Sequence, residues 1–129
     1  MESWPETVLA RIADGSLLPP ECFTSIDLDS VLEARDRDAE FEAEWLRLYE
    51  VVNDDWKSAE LTDRQKSDAD DVRRESFLAV FRVTKHHDIA AQVSDDFDLM
   101  ARGHILGRAD PFLEQLWRTY DAGQIPKST

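Results

Sequence analysis

Apolar residues recur along this chain every three or four positions, which places their side chains on one face of an α-helix. Residues that typically cap helices lie where this pattern starts and stops. Thr62 and Gln65 form a capping box, and Asp110 followed by Pro111 combines an N-cap residue with a proline in the first helical turn. No alternating pattern of strand length is visible. The pattern therefore predicts five helices, over approximately residues 3–14, 27–53, 62–85, 88–106 and 110–122.

Polar stretches inside two of these predicted helices leave their continuity open. Residues 33–40 are almost all polar, so the helix over 27–53 either exposes one turn to solvent or breaks there, and we expect it to continue. The polar residues in 53–56 then predict a loop. Residues 94–96 are residue types that cap helices, so the segment 88–106 fits either one kinked helix or two short ones.

The length and composition fit one domain around one hydrophobic core. The chain has 129 residues, of which 42% are hydrophobic and 33% are charged. Short connections between long helices place consecutive helices side by side and antiparallel. The helix over 62–85 has the widest apolar face, so we expect it at the centre. The predicted fold is all-α, a compact bundle of about five helices over a single domain, residues 1–129, with a short tail from about residue 124.

The charge of the chain narrows the classes of partner. The formal net charge is −13, and residues 27–60 alone carry twelve acidic and four basic side chains. A negative field of this kind repels phosphate backbones and anionic lipid and attracts basic surfaces, so we expect a basic protein partner and no direct binding of nucleic acid or membrane. No run approaches the roughly 20 apolar residues of a membrane helix, and the first residues do not resemble a secretory signal. We expect a cytoplasmic protein.

Motifs that carry chemistry are absent from the sequence. Cys22 is the only cysteine, and neither a glycine-rich phosphate loop nor a nucleophile elbow can be written, so we expect no cofactor. The nearest candidate for an ion site is a group of histidine and aspartate residues: His86, His87, Asp95 and Asp96. Adjacent residues on a helix point in different directions, and such residues commonly stabilise helix ends, so we favour these ordinary roles.

The acidic second helix is the most unusual feature of the sequence. Its carboxylates are either a solvated surface or a docking face whose charge steers a basic partner, with nearby aromatic residues as anchors. The candidate partner-binding residues are Asp36, Asp38, Glu40, Glu44, Tyr49 and Trp56.

These observations favour a non-enzymatic protein-binding module. We predict an acidic inhibitor or immunity-type protein that docks on a basic partner such as a nuclease toxin. Three alternatives stay open: a nucleic-acid mimic, a structural subunit, and a small metal-dependent enzyme or ion-binding protein that uses the histidine and aspartate group. A structural subunit should display a large exposed apolar patch, and a metal protein should melt at a higher temperature when the metal is added, with His87→Ala abolishing the rise.

Overall fold

A computed structural model describes residues 3–24 and 26–126, and all the regular secondary structure in these ranges is helical. An all-α fold is therefore confirmed, with more helices than predicted. The seven helices in the described part of the chain are α1 (Trp4–Asp14), α2 (Glu21–Thr24), α3 (Leu28–Arg37), α4 (Ala39–Ser58), α5 (Asp63–Thr84), α6 (His87–Ile105) and α7 (Pro111–Asp121).

The boundary residues that the sequence indicated form hydrogen bonds at the helix ends. The side chain of Thr62 accepts from the backbone N–H of Gln65, whose side chain accepts from the backbone N–H of Thr62, so the capping box of α5 is complete. Asp110 accepts from two backbone N–H groups at the start of α7. Gly15 ends α1 in the left-handed conformation, with a φ of 80°.

The predicted continuous helix over 27–53 is wrong, because the chain breaks at Asp38. This residue has extended backbone angles and ends α3, and its carboxylate accepts from the backbone N–H of Phe41 at 3.0 Å to start α4. The predicted loop at 53–56 is also wrong, since α4 runs on to Ser58. Residues 94–96 do not interrupt α6, so the segment that follows His86 is one helix.

The helix at the centre of the bundle is α6. The sequence instead predicted α5 there, because α5 has the widest apolar face. Helix α6 contacts α1, α3, α4, α5 and α7. The two-residue connection after Thr84 folds it back along α5, which is its most extensive partner. The side chains that α6 buries completely include Ile89, Val93, Phe97, Leu99 and Met100. The helix in the middle of the bundle thus joins the acidic helices α3 and α4 to the rest of the core.

Candidate functional site

A groove of about 690 Å³ lies where the ends of α3 and α4 meet α7. Its walls come from α2, from the α3–α4 junction, from α7 and from the non-helical residues after α7, ending at Pro126. Part of its lining is apolar and includes Phe41 and Phe112, which pack edge to face with ring centroids 5.2 Å apart. Its size is within the range of pockets that hold a small ligand or a few side chains of a partner.

The lining of this groove carries negative charge only. Of the described residues that line it, four are carboxylates and none is lysine, arginine or histidine. The four carboxylates are Glu21, Asp38, Glu40 and Glu44. Glu21 and Glu40 form no ion pair with a described residue, whereas Glu44 is 2.9 Å from Arg47, which also contacts Asp110 at 3.2 Å. The groove therefore attracts cations, most strongly around the two carboxylates without a partner.

Cys22 closes the back of the groove. Its thiol donates to the backbone carbonyl of Gly123 at 3.0 Å, which ties α2 to the end of α7. Burial raises the pKa of this thiol, and the neighbouring Glu21 carboxylate raises it further, so Cys22 stays protonated and keeps its role as a donor.

Three of the six candidate residues line this groove together: Asp38, Glu40 and Glu44. Asp36 lies in α3, just before the break at Asp38. It lines a separate cleft of about 200 Å³ between α3, α4 and α6, together with Glu42 and Asp95. Phe41 lines both cavities, so the groove and this second cleft flank the α3–α4 junction.

The two aromatic candidates do not lie in the groove. Tyr49 is 38% exposed and stacks on Trp45 at 5.5 Å, with the guanidinium of Arg102 over its ring. Trp56 is partly buried near the end of α4, roughly 24 Å along the helix from Glu40 at a rise of 1.5 Å per residue. The structure thus places the candidate residues in at least two regions rather than on one surface.

A buried ion pair that the sequence analysis missed holds α3 and α4 against the core. Asp96 is fully buried and accepts two hydrogen bonds from Arg35, at 2.7 and 2.9 Å. It also accepts from the indole of Trp45 at 2.9 Å and from the hydroxyl of Tyr120 at 2.6 Å. Burial alone would lower the pKa of Arg35, but the Asp96 carboxylate raises it above its ordinary value, so Arg35 stays charged. This contact fixes the position of the α3–α4 junction.

The histidine and aspartate group considered for an ion does not come together. His86 caps α6: its Nδ1 accepts from the backbone N–H of Ile89, which leaves Nε2 to donate to Asp29 at 2.8 Å. His87 is exposed beside Asp88. Within the described ranges, no three histidine, cysteine or carboxylate side chains form a group that could hold a metal ion.

The two aspartates of that group also have different partners. Asp95 pairs with Arg73 at 3.0 Å near the surface, while Asp96 is buried against Arg35. Both lie in the middle of α6 and not at a helix start, which corrects the prediction. The sequence pattern did indicate a buried ion pair at Asp96. Asp96 shares the apolar stripe of Val93 and Met100, and a carboxylate on a buried stripe requires a charged partner.

Exposed apolar residues are few in the described part of the chain. The large hydrophobic side chains that are exposed there are Leu46 (48%), Tyr49 (38%) and Val83 (38%), on two different helices. This is less than the large patch expected of a structural subunit. No helix within residues 3–24 and 26–126 is both long and apolar enough to cross a membrane.

The fold and the groove define a small acidic helical protein with a cleft whose described lining is negatively charged. The model of the family described as "Immunity protein PIM1" matches residues 7–127, nearly the whole chain. The chain therefore belongs to this immunity protein family. A comparison with curated proteins finds no match.

Proposed function

We propose that this protein binds a toxin and blocks it without catalysing a reaction, by docking the acidic α3–α4 region on a basic surface of the toxin. Membership of an immunity protein family supports binding to a toxin. The observation that supports a basic partner is the groove, because its described lining holds four carboxylates and no cation. We propose that the protein meets this partner in the cytoplasm.

Charge and shape have separate tasks in this proposal. A surface of one sign accelerates the encounter with an oppositely charged partner, while a groove with a partly apolar lining slows dissociation once a partner side chain is bound in it. A nuclease toxin suits this charge, because an enzyme that binds a phosphate backbone must present a positive surface. The protein would then cover that surface and exclude the nucleic acid.

The test begins with identifying the partner. The protein is immobilised, a lysate of the source cell is passed over it at low salt, and bound proteins are eluted with salt. Each eluted protein is then expressed alone in a bacterial host and also together with this chain. We expect one basic protein that arrests growth alone and does not do so when the two are produced together.

Two matched double variants locate the docking surface. Glu40→Lys with Glu44→Lys reverses two carboxylates in the groove, and Glu50→Lys with Glu60→Lys reverses two exposed carboxylates outside it. Both double variants change the net charge equally. We expect the first to lose protection of the host and the second to keep it. Equal protection by both would contradict docking through the groove, and the absence of any toxic basic partner would contradict the function itself.

A further inference from the structure

We infer that the groove receives a protruding loop of the toxin that carries an arginine beside an apolar residue. This inference rests on the proposed function and specifies how the acidic surface is used. Docking of two flat charged surfaces would need no cavity, whereas a groove of about 690 Å³ between α4 and α7 leaves room for inserted side chains.

The lining of the groove matches both parts of such a loop. The carboxylates of Glu21 and Glu40 have no ion pair with a described residue, so they are available to a guanidinium. Phe112 and Ile125 line the same groove and provide apolar surface. Arginine satisfies both kinds of contact, because its planar group binds a carboxylate through two hydrogen bonds and packs on aromatic rings.

The chain itself contains an arginine held in this way. On the side of Phe41 that lines the second cleft, the guanidinium of Arg35 lies 4.7 Å from the centre of the ring while it binds the Asp96 carboxylate through two hydrogen bonds. Phe41 also lines the groove, which offers carboxylates and no cation among its described lining residues. A second arginine, supplied by the partner, would repeat the arrangement there.

A peptide experiment tests the groove without the toxin. The probe is a short capped peptide whose centre is arginine–leucine–arginine, and the control peptide has glutamate in place of both arginines. We expect millimolar additions of the probe to shift the backbone amide resonances of Gln115, Thr119 and Gln124 in a ¹H–¹⁵N spectrum, and the control to leave them in place. Shifts confined to α5, or equal shifts with both peptides, would overturn the inference.

A matched pair of variants tests the groove with the toxin. Gln115→Trp places a large side chain in the groove, and Ser67→Trp places the same side chain on the exposed face of α5, which does not line it. We expect Gln115→Trp to weaken binding of the captured toxin by about tenfold or more and Ser67→Trp to leave it unchanged. Where Gln115→Trp melts below the parent, Glu40→Lys replaces it, because Glu40 is exposed and forms no ion pair with a described residue.

The outcomes separate this inference from the proposed function. If Gln115→Trp binds the toxin as tightly as the parent, the groove is not the seat of the loop, while the immunity function stands. If no toxin is found, the proposed function fails, and the peptide shifts still decide whether the groove takes an arginine-bearing segment. A concentration-dependent dimer that Gln115→Trp abolishes would show that a second copy of this chain fills the groove, and it would overturn the inference.

Discussion

The carboxylate of Asp96 joins side chains from three other helices: Arg35 on α3, Trp45 on α4 and Tyr120 on α7. Removing two charges from water costs several kcal/mol per ion, and only close geometry with satisfied hydrogen bonds offsets this cost. Both oxygens of Asp96 accept hydrogen bonds, so the requirement is met. The loss of one partner would leave the other charge buried without compensation.

We predict that Asp96→Asn lowers the free energy of unfolding by about 3 to 5 kcal/mol, because it strands the guanidinium of Arg35, which is only 5% exposed. The control is Asp95→Asn at the next position, where the pair with Arg73 is near the surface and worth about 1 kcal/mol or less. Urea unfolding followed by circular dichroism measures both. Equal losses would mean that the buried pair does not hold α3 in place.

The environment of His104 lowers its pKa. Its ring stacks on Trp4 with centroids 4.4 Å apart, and its buried Nε2 has no hydrogen-bond partner among the described residues. Burial lowers the pKa of His104 below its ordinary value of 6.5, and the nearby Glu114 carboxylate raises it only in part. The folded protein therefore holds the neutral imidazole at a pH where the unfolded chain already binds a proton.

This pKa shift predicts a loss of stability in mild acid. Above pH 6.5 the histidine is neutral in both states, and as the pH falls below that value the unfolded state alone gains protonation free energy until the pH reaches the folded pKa. His104→Phe keeps a ring on Trp4 but does not titrate. We expect the free energy of unfolding to fall less between pH 7.5 and pH 5 in this variant than in the parent. A drop of the same size in both would exclude His104 as the cause.

At the scale of helices, the sequence predicted the ends that depend on local hydrogen bonds. The capping box at Thr62 and the N-cap at Asp110 lie within a few residues of the groups that they bind, so spacing alone indicates them. The end of α4 depends on distant residues. Asn53 accepts from Arg102 and Asp55 pairs with Arg108, and these contacts with the segment from α6 onward keep residues 53–56 helical. A pattern within one segment cannot show them.

The break at Asp38 is a case in which local signals conflict. Residues 33–40 include good helix formers, yet aspartate is also a good N-cap, and tertiary packing decides between the two. Here Arg35 is drawn into the core by Asp96, which fixes the direction of α3 and lets α4 start anew. The sequence therefore left the break as the less favoured alternative.

We predict that Asp38→Ala lowers the free energy of unfolding by about 1 kcal/mol, because the first turn of α4 loses the carboxylate that accepts from Phe41. The matched control is Asp36→Ala, which removes an exposed carboxylate in the last turn of α3 and should stay within about 0.5 kcal/mol of the parent. Urea denaturation at low and high salt separates the cap from general charge effects. An Asp38→Ala protein as stable as the control would mean that this cap does not stabilise the junction.

The sequence predicts the acidic residues of the candidate site but not the shape of the groove. Charge density along residues 27–60 indicated the acidic region, and three of the residues it singled out line the groove. The groove itself needs α7 and the residues up to Pro126, which lie far away in the sequence. Tyr49 is a predicted anchor because it is close in sequence to the acidic residues, whereas in the fold its ring packs against Trp45 and Arg102.

At the scale of the whole molecule, the net charge of −13 is distributed unevenly, because residues 27–60 carry twelve acidic and four basic side chains. Several basic side chains near the acidic helices are engaged internally: Arg35 is buried against Asp96, Arg47 bridges Glu44 and Asp110, and Arg102 pairs with Asp98. These pairs leave Glu21 and Glu40 at the groove without an ion pair to a described residue. A partner approaching from that side meets a stronger negative field than a uniform charge would produce.

This asymmetry predicts how the rate of association with the captured toxin depends on salt. Electrostatic steering weakens as the Debye length falls from about 30 Å at 0.01 M to about 8 Å at 0.15 M ionic strength, so the on-rate of the parent should fall by roughly an order of magnitude or more over this range. Stopped-flow measurements compare the two charge-reversal pairs. Because they share one net charge, a uniform field would slow them equally. Steering by the groove instead predicts a slower low-salt on-rate and a flatter salt dependence for Glu40→Lys with Glu44→Lys, while Glu50→Lys with Glu60→Lys stays close to the parent.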